Sequence, residues 1–590
     1  MWNARERSRL DRHFAQKLWR LLLIFWRSPE ATWGTLMLGL AAAMELGSVY
    51  GSVWIAAAEG RILDSFQIRS PSAFVQAIGL FVGVSFAFLL VSTFRLYVRQ
   101  YLEVRWRQTV TGYYVGRWMS RQAYSQAELH RGEMDNPDQR IAEDIRDFVA
   151  SALGLSLSLL SAVATLLSFG GLLWGLSRDW PLRIGERELH IPGFMMWVAI
   201  GYALFAMWIT HLMGRKLVPI NFDRLRYEAD FRYALVRFRD NIEGVSFSRG
   251  EDFERRSAMV RFRAVLDNWL ELIRAQRNLQ LLTSSVGLLN GLIPILVSAP
   301  AFFAGALTIG AVAQVRIAYG QVSGALTWFV NAYQEIARWR ASIERLSMFA
   351  ELMDKTELEL AIGHRIRVEL SRKPELRLND LRVEAPGGRV LIAGATAILA
   401  PGERVAISGP SGVGKTTLLR AIAGLWPFGS GTIEVPTHAR LHFVSQHPYM
   451  PIGSLRAVMS QPDSDGPFSD EEIRDLLRLV GLDHLAGRLD EVKQWDQFLT
   501  PYEQQWLALA RVLVHEPDWI FLDQATNALD EVKEQRYYDL LRERLPHSGV
   551  ISVAYRPGVA EFHDRRWALT PHDGEPITFH VTRTDDRIAS

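Results

Sequence analysis

Through its first 330 residues the chain alternates long apolar blocks with long charged stretches, and then its pattern changes. Blocks close to the roughly 20 residues a bilayer-crossing helix needs lie near Thr32 to Ala58, Phe74 to Phe94, Ala150 to Leu176, Ile191 to Met213, Leu281 to Phe303 and Ala311 to Val330. They predict six transmembrane helices. Between them, 59–73, 177–190 and the turn from Gly305 to Gly310 are short, whereas 95–149 and 214–280 are long, charged and helical in pattern. Arg95, Arg99, Arg105 and Arg107 at one exit, and Arg215 and Lys216 at another, put the long segments on the cytoplasmic side. Residues 1–32 lead in with "FAQKLWRLLLIFW", an amphipathic helix expected at the membrane surface on that same side. An even number of crossings returns the chain to the cytoplasm. A charged helix, "NAYQEIARWRASIERLSMFAEL", then runs from Asn331 towards Leu370 into a polar linker punctuated by Pro374. Beyond it, short β-type runs separated by Pro-Gly and Gly-Gly turns open a mixed α/β region. The expected domains are 1–32, 33–350, 351–373 and 374–590.

Composition sharpens this picture in three ways. An apolar share of 49%, with 19 Trp and 29 Phe, suits a protein partly in lipid and partly in water, with aromatics at the interface. A net charge of +2 says nothing about nucleic acid, and no such partner is expected. The absence of Cys, whether natural or by replacement, excludes disulfides, thiolate metal sites and cysteine nucleophiles. Arg5, Arg7, Arg9, Asp11 and Arg12 stand where a cleavable signal peptide would have a short apolar core.

The strongest chemical signal is "RVAISGPSGVGKTTLLRAIAGLW", Arg404 to Trp426. A short apolar run leads into Gly409, Pro410, Ser411, Gly412, Val413, Gly414, Lys415, Thr416 and Thr417, and a periodic helix follows. This is the pattern of a phosphate-binding P-loop. Glycines let backbone N–H groups point at a phosphate, the helix N-terminus adds partial positive charge, Lys415 reaches the outer phosphates, and the Thr416 hydroxyl can ligate Mg2+. ATP and Mg2+ are the expected cofactors. About a hundred residues on, "PDWIFLDQATNALD" carries a buried strand, Trp519 to Leu522, ending in Asp523, a carboxylate suited to hold Mg2+ through its water shell.

P-loop, the stretch "FLTPYEQQWLALARVLVHEP" and the Asp523 strand, in this order and spacing, resemble the ATPase domain of ATP-binding cassette (ABC) transporters from about Pro374 to the C-terminus. The resemblance implies a Q-loop at Gln446, which would meet the nucleotide's metal, and a D-loop at "NALD" with Asp530. In the membrane half, "VRWRQTVTGYYVGRWM", "MDNPDQRIAEDI" and "EADFRYALVRFRDNIEGVSFSRGE" resemble half-size bacterial transporters related to the SbmA/BacA peptide-uptake proteins, themselves similar to peroxisomal acyl-CoA half-transporters. The implied fold is a multidomain membrane protein. A six-helix all-α transmembrane domain with long cytoplasmic helix extensions, of the ABC exporter type, precedes an α/β P-loop ABC ATPase domain.

Several positions depart from the family pattern. Gln524 stands where the family usually has the Glu that polarises the attacking water, and an amide can orient water but cannot take its proton. The signature, commonly L-S-x-G-E/Q, is here Leu499, Thr500, Pro501, Tyr502 and Glu503. Thr500 keeps a hydroxyl for the γ-phosphate, while Tyr502 replaces the closely approaching Gly and Pro501 removes an N–H. Tyr555 takes the place of the switch His. No aromatic lies in Arg389 to Ile392 to stack on adenine. A Glu-to-Gln exchange made to hold the ATP-bound state accounts for Gln524 alone; a naturally weakened ATPase accounts for all three departures.

One P-loop and one signature segment per chain imply a homodimer, since in this family each P-loop faces the partner's signature. Within the membrane, Glu45 and Arg316 are expected to line a water-filled cavity and to pair, with Asn290, Gln314, Tyr319 and Gln321 adding polar surface. The resemblance implies a multi-pass protein of the bacterial inner membrane that takes up peptides or other bulky hydrophilic solutes, its N-terminus and ATPase domain cytoplasmic. Three alternatives stay open: a proton-driven carrier with a vestigial ATPase domain, a lipid or acyl-CoA exporter, and a non-transporting scaffold.

Overall fold

A computed structural model describes residues 12–120, 136–178, 181–184, 187–215, 217–362, 366–386, 388–462, 468–553, 556–572 and 575–583. The chain divides into two compact units, the first made of 1–117 and 135–351 and the second of 118–134 and 352–590.

The first unit is helical. Its helices are α1 (Arg12–Trp26), α2 (Ala31–Gln67), α3 (Pro71–Met119), α4 (Ile145–Leu176), α5 (Phe194–Gly214), α6 (Leu217–Asp240), α7 (Ile242–Ser248), α8 (Glu251–Phe303), α9 (Ile309–Leu326) and α10 (Trp328–Ile362). A small hairpin, β1 (Pro181–Ile184) and β2 (Arg187–His190), joins α4 to α5. Among the described residues, five helical stretches are long and apolar enough to cross a membrane: 31–67, 71–119, 137–176, 194–240 and 251–303. The sixth expected span is present as α9 but falls short in apolar character, because Gln314, Arg316 and Gln321 interrupt it. Packing explains the tolerance. Helix α9 lies against α2, α4, α5 and α8, with Val315, Ala318, Tyr319 and Val322 buried, and a helix sheathed by protein needs less apolar surface than one facing lipid.

Residue size follows the same logic. Buried positions on these helices are largely small, among them Ala41, Ala56, Ala58, Ala199, Ala203 and Ala318, while Leu36, Phe86, Leu167, Leu204, Leu288 and Leu296 point outward. Small residues let helix backbones approach, and large apolar side chains on the outer face suit hydrocarbon.

The buried charges are paired, though not as the sequence suggested. Glu45, only 8% exposed, accepts a hydrogen bond from Nη1 of Arg95 at 2.9 Å, and the same nitrogen donates to Ser48 Oγ at 2.9 Å. Arg316 faces Glu59 instead, at 3.7 Å. The expected pairing of Glu45 with Arg316 is therefore corrected: one turn is 3.6 residues, so Glu59 lies about four turns along α2 from Glu45, and each arginine meets the carboxylate at its own level.

The "MDNPDQRIAEDI" stretch, described from Asn136 onward, makes a specific turn. Asn136 is left-handed (φ 46°), Pro137 starts a helical turn, and Arg140–Asp144 winds as a π-helix into α4. The wider turn delivers Asp144, 3% exposed, to Arg345 of α10. Nε of Arg345 donates to both carboxylate oxygens at 3.1 and 2.9 Å, Nη2 donates at 2.5 Å, and Arg140 Nη1 adds a fourth bond at 2.9 Å.

The second unit is built on a ten-stranded sheet in the order β3-β7-β4-β5-β14-β13-β6-β12-β11-β8. Its strands are β3 (Arg367–Ser371), β4 (Leu376–Glu384), β5 (Val390–Leu399), β6 (Arg404–Ser408), β7 (Gly429–Pro436), β8 (Leu441–Val444), β11 (Trp519–Asp523), β12 (Gly549–Val553), β13 (Arg565–His572) and β14 (Glu575–Arg583); β9 (Gly453–Ser454) and β10 (Val492–Lys493) pair separately. Strands β13, β6, β12, β11 and β8 run parallel, and β5, β11 and β12 are apolar along their buried faces, as strands covered by protein must be. Two hydrophobic clusters cover the sheet: one centred on Val405, Ile407, Leu418, Phe521 and Trp567, the other on Trp495, Trp506, Leu509, Ile520 and Tyr537. Within the stretch 351–373, read as a linker, α10 continues to Ile362 and β3 pairs in parallel with β7.

Asp144→Ala would leave two guanidinium groups around a buried site without their carboxylate. Because Arg345 keeps 35% of its side chain exposed, the expected loss is about 2–3 kcal/mol, below the full cost of breaking a wholly buried pair, and it should appear as a lower unfolding midpoint in detergent, with Asp144→Glu retaining part of the stability.

Candidate nucleotide site

Parallel strands leave their carboxyl ends at one edge of a sheet, where loops converge and ligands bind. Strand registers align Ile407 with Val553, Val553 with Asp523, and Leu522 with Val444. The P-loop after β6, the segment after β12, the Asp523–Gln524 step after β11 and Gln446 after β8 consequently share that edge.

Backbone conformation shapes the P-loop. Gly409, Gly412 and Gly414 have φ of 149°, 78° and 94°, a region that glycine enters without steric cost. A Cβ on Gly409 would sit 2.6 Å from the Leu569 carbonyl oxygen, so that position also excludes a side chain by contact. Val413 is buried and its side chain belongs to the hydrophobic cluster around β6, leaving only its backbone to face a ligand. Pro410 and Ser411 are exposed at the rim. Helix α11 (Lys415–Ile422) starts directly at the loop. The Lys415 ammonium folds over it and donates to the Gly409 and Pro410 carbonyls at 2.7 Å each. Thr416 and Thr417 are the second and third residues of α11, and Thr416 Oγ1 donates to Asp523 Oδ1 at 3.2 Å.

Burial raises the Asp523 carboxyl above the ordinary aspartate range, against the opposing pull of the Thr416 bond and of Arg420 and Lys415. The residues present fit a triphosphate with its metal. Positive φ turns the loop's amides inward, a lysine covers it, and a hydroxyl and a carboxylate meet at its end. Among the described residues no cluster of three or more His, Cys, Asp or Glu forms a metal cage.

Residues 23–303 match the family model described as ABC transporter transmembrane region 2, and residues 393–527 match that described as ABC transporter. An inner membrane ABC transporter ATP-binding protein, YddA of Escherichia coli, is 30% identical over 92% of this chain and 95% of its own. The chain belongs to the ABC transporters. An uncharacterised ABC transporter ATP-binding protein of Synechocystis is 36% identical over 80% of this chain and 72% of its own, and the chloroplastic ABC transporter D family member 2 of Arabidopsis thaliana is 28% identical over 95% and 86%. This transporter is thus a half-transporter with sequence similarity to the D-family member of Arabidopsis, a membrane protein carrying an ATP-hydrolysing cassette fused to its membrane region.

Its unusual positions have definite surroundings. Gln524 holds a left-handed backbone (φ 56°), a conformation costly for a side chain with a Cβ. Its N–H donates to the Val553 carbonyl at 2.9 Å, and its side-chain oxygen accepts from Asn527 Nδ2 at 3.0 Å. The amide is thus oriented by the turn that carries it. Gln446 is exposed just past β8. Tyr555 lies outside the described residues.

The signature segment opens α12 (Pro501–His515). Thr500 and Glu503 form a capping box: the Thr500 N–H donates to Glu503 Oε2 at 2.9 Å, its hydroxyl at 2.8 Å, and Glu503 N–H returns a bond to the hydroxyl at 3.3 Å. The Thr500 hydroxyl, expected to be reserved for phosphate, already serves the helix start. Pro501 occupies the first helical position, where a missing N–H breaks no intrahelical bond. Tyr502 packs edge-on to Trp506 and takes the Lys533 ammonium 4.7 Å above its ring. Ile392, fully buried, has its Cδ1 3.9 Å from a Cβ placed on Gly414, so an aliphatic group stands beside the loop.

Two residues escaped the sequence reading. Glu534 of α13 (Glu531–Arg544) is buried, accepts from Thr526 Oγ1 at 2.5 Å and meets Arg556 Nη1 at 3.4 Å, while that nitrogen also donates to the Leu529 carbonyl at 2.7 Å. They tie the turn after β11 to the segment after β12. No local pattern marks Glu534, whose importance depends on groups 8 and 22 residues away in sequence.

A raised Asp523 favours the protonated form, so the carboxylate a cation needs is lost as pH falls through a value above the usual aspartate range of about 4. Mg2+-dependent ATP binding, followed by fluorescence of a nucleotide analogue, should therefore weaken earlier on acidification than an ordinary carboxylate would allow. Asp523→Asn should remove both the metal dependence and that acid limb.

Proposed function

We propose that the chain works as a homodimer in a bacterial inner membrane, with its N-terminus and cassette in the cytoplasm, binding ATP with Mg2+ and taking up peptides or other bulky hydrophilic solutes. The need for a dimer rests on one P-loop and one signature segment per chain. In the proposed site, the Gly409–Gly414 amides, Lys415 and Thr417 hold the phosphates, and Thr416, Asp523 and Gln446 hold the metal through its oxygen shell. Thr500, Tyr502 and Glu503 of the partner subunit's copy close the nucleotide's other side, and Tyr555 approaches the γ-phosphate.

Polar groups within the membrane unit support a hydrophilic cargo. Arg316 with Glu59, Arg95 with Glu45, and Gln314, Gln321 and Asn290 all sit on helices of the membrane unit, and intramembrane polar groups mark solute pathways.

The observation that carries the catalytic reading is Gln524. Its carboxamide, fixed by Asn527, can align a water but offers no base, so the proton of an attacking water has no acceptor on that residue. Slow turnover with retained binding follows. Gln524→Glu should raise ATPase turnover of the purified protein by about 100-fold or more, with nucleotide affinity nearly unchanged. Failure of that exchange to accelerate hydrolysis would place the limit in the Thr500–Glu503 and Tyr555 departures. Peptide uptake into vesicles that responds to ATP and not to an imposed pH gradient is the expected transport result; the reverse would identify a proton-driven carrier.

A further inference from the structure

Three of the apolar blocks end or begin at one charged point. Arg99 follows the block ending at Phe94, Glu335 follows the one ending at Val330, and Gly154 lies near the start of the block from Ala150. The fold of the first unit brings them together. A Cβ placed on Gly154, which is buried, would stand 3.0 Å from Arg99 Nη2 and 3.2 Å from Glu335 Oε1, with Arg99 Cζ at 3.9 Å. A guanidinium from α3 and a carboxylate from α10 therefore face the same small volume over the bare backbone of α4.

Neither charge is engaged there. Among the described residues, the side chains of Arg99 and Glu335 form no hydrogen bond or ion pair, with each other or with a neighbour. One turn back along α3 the situation differs, since Arg95 donates to Glu45 and Ser48. The surrounding helices fix the opening. Trp328 Nε1 donates to Ser158 Oγ at 3.1 Å and Trp339 Nε1 to the Phe148 carbonyl at 3.1 Å, so α10 is tied to α4 on both sides of the level of Gly154 and Glu335. Both charged side chains are half-buried, and a ligand or water can reach them. Ionisable groups beside membrane spans mark solute paths, and opposite charges held apart over one gap suit a ligand that offers a partner to each.

We propose that Arg99 and Glu335 form a subsite for the carboxyl-terminal end of a peptide, Arg99 taking the terminal carboxylate and Glu335 accepting the N–H of the last peptide bond. This deepens the peptide-cargo reading above and rests on it. A guanidinium fork matches a carboxylate with two parallel donors. An ionised glutamate only accepts, which suits the amide donor that lies next to that carboxylate along the peptide backbone. Gly154 leaves room for both contacts. An amino terminus fits less well, because its ammonium would go to Glu335 and leave Arg99 with a neutral carbonyl.

The test uses the full-length protein in neutral detergent and a short hydrophilic peptide carrying a fluorophore on a central side chain, with binding read by anisotropy without nucleotide. Amidating the carboxyl terminus should weaken binding about 10- to 100-fold, whereas acetylating the amino terminus should leave it nearly unchanged. Arg99→Gln should weaken the free-acid peptide by a similar factor and erase its advantage over the amide, a readout that a merely structural arginine would not move. Glu335→Met should likewise erase the discrimination against a peptide ending in proline, whose last peptide bond has no N–H. ATP binding and the unfolding midpoint report that each variant is folded. Equal binding of acid and amide by the unmodified protein, or an acid preference that survives in folded Arg99→Gln, would overturn the subsite while leaving peptide cargo in place. Loss of binding on acetylation and not on amidation would overturn it in favour of the amino end. No binding of any of these peptides would overturn the subsite and the peptide reading together.

Discussion

Carboxylates withdrawn from water hold this molecule together at the points where its parts must stay in register. Removing an ionised carboxylate from water costs several kcal/mol, so each one is tenable only with a donor aimed at it. Glu45 has Arg95, Asp144 has Arg345 and Arg140, Asp523 has Thr416, and Glu534 has Thr526 and Arg556. In every case at least one donor comes from a different segment of the chain. The pairs consequently act as positional constraints: α2 to α3, α4 to α10, the P-loop helix to the sheet, and the turn after β11 to the segment after β12.

The membrane unit applies this constraint within an architecture that otherwise avoids polarity. Its helices turn large apolar residues outward and small ones inward, the arrangement expected when lipid supplies no hydrophobic drive for helix association and packing must do so through close approach. Helix α9 is the exception that the others make possible. Surrounded by four helices, it carries Gln314, Arg316 and Gln321 without exposing all of its length to hydrocarbon.

In the cassette, the elements that hold phosphate and those that would act on it rest on different features of the chain. The elements that hold phosphate depend on backbone geometry, and that geometry is intact, with glycines at positive φ, a lysine over the loop and a Thr416–Asp523 contact at its end. The elements that would move a proton or close the site from the other side depend on particular side chains, and there the chain carries an amide at 524 and a tyrosine at 502. The start of the signature helix is satisfied locally, by its capping box and by the packing of Tyr502 on Trp506. Departure from the family pattern has not disturbed the fold because these residues perform local structural work that does not require nucleotide.

Much of this was legible in the one-dimensional pattern, because the signals are local. Apolar blocks of bilayer length, a glycine loop between strand and helix, and a buried strand ending in Asp523 are each set by a few consecutive residues, and the order of these elements places the chain in its family. The partners of buried charges were not legible. Glu45 and Arg316 have equal standing in the sequence, yet packing gives Glu45 to Arg95 and Arg316 to Glu59. Glu534 looks like any acidic residue in the first turn of a helix until Arg556 is folded against it. The sixth span reads as membrane-crossing by length, but only the assembled bundle shows why it tolerates its polar residues. Periodicity is written in neighbours along the chain, whereas desolvation of a charge is decided by whatever the fold brings around it.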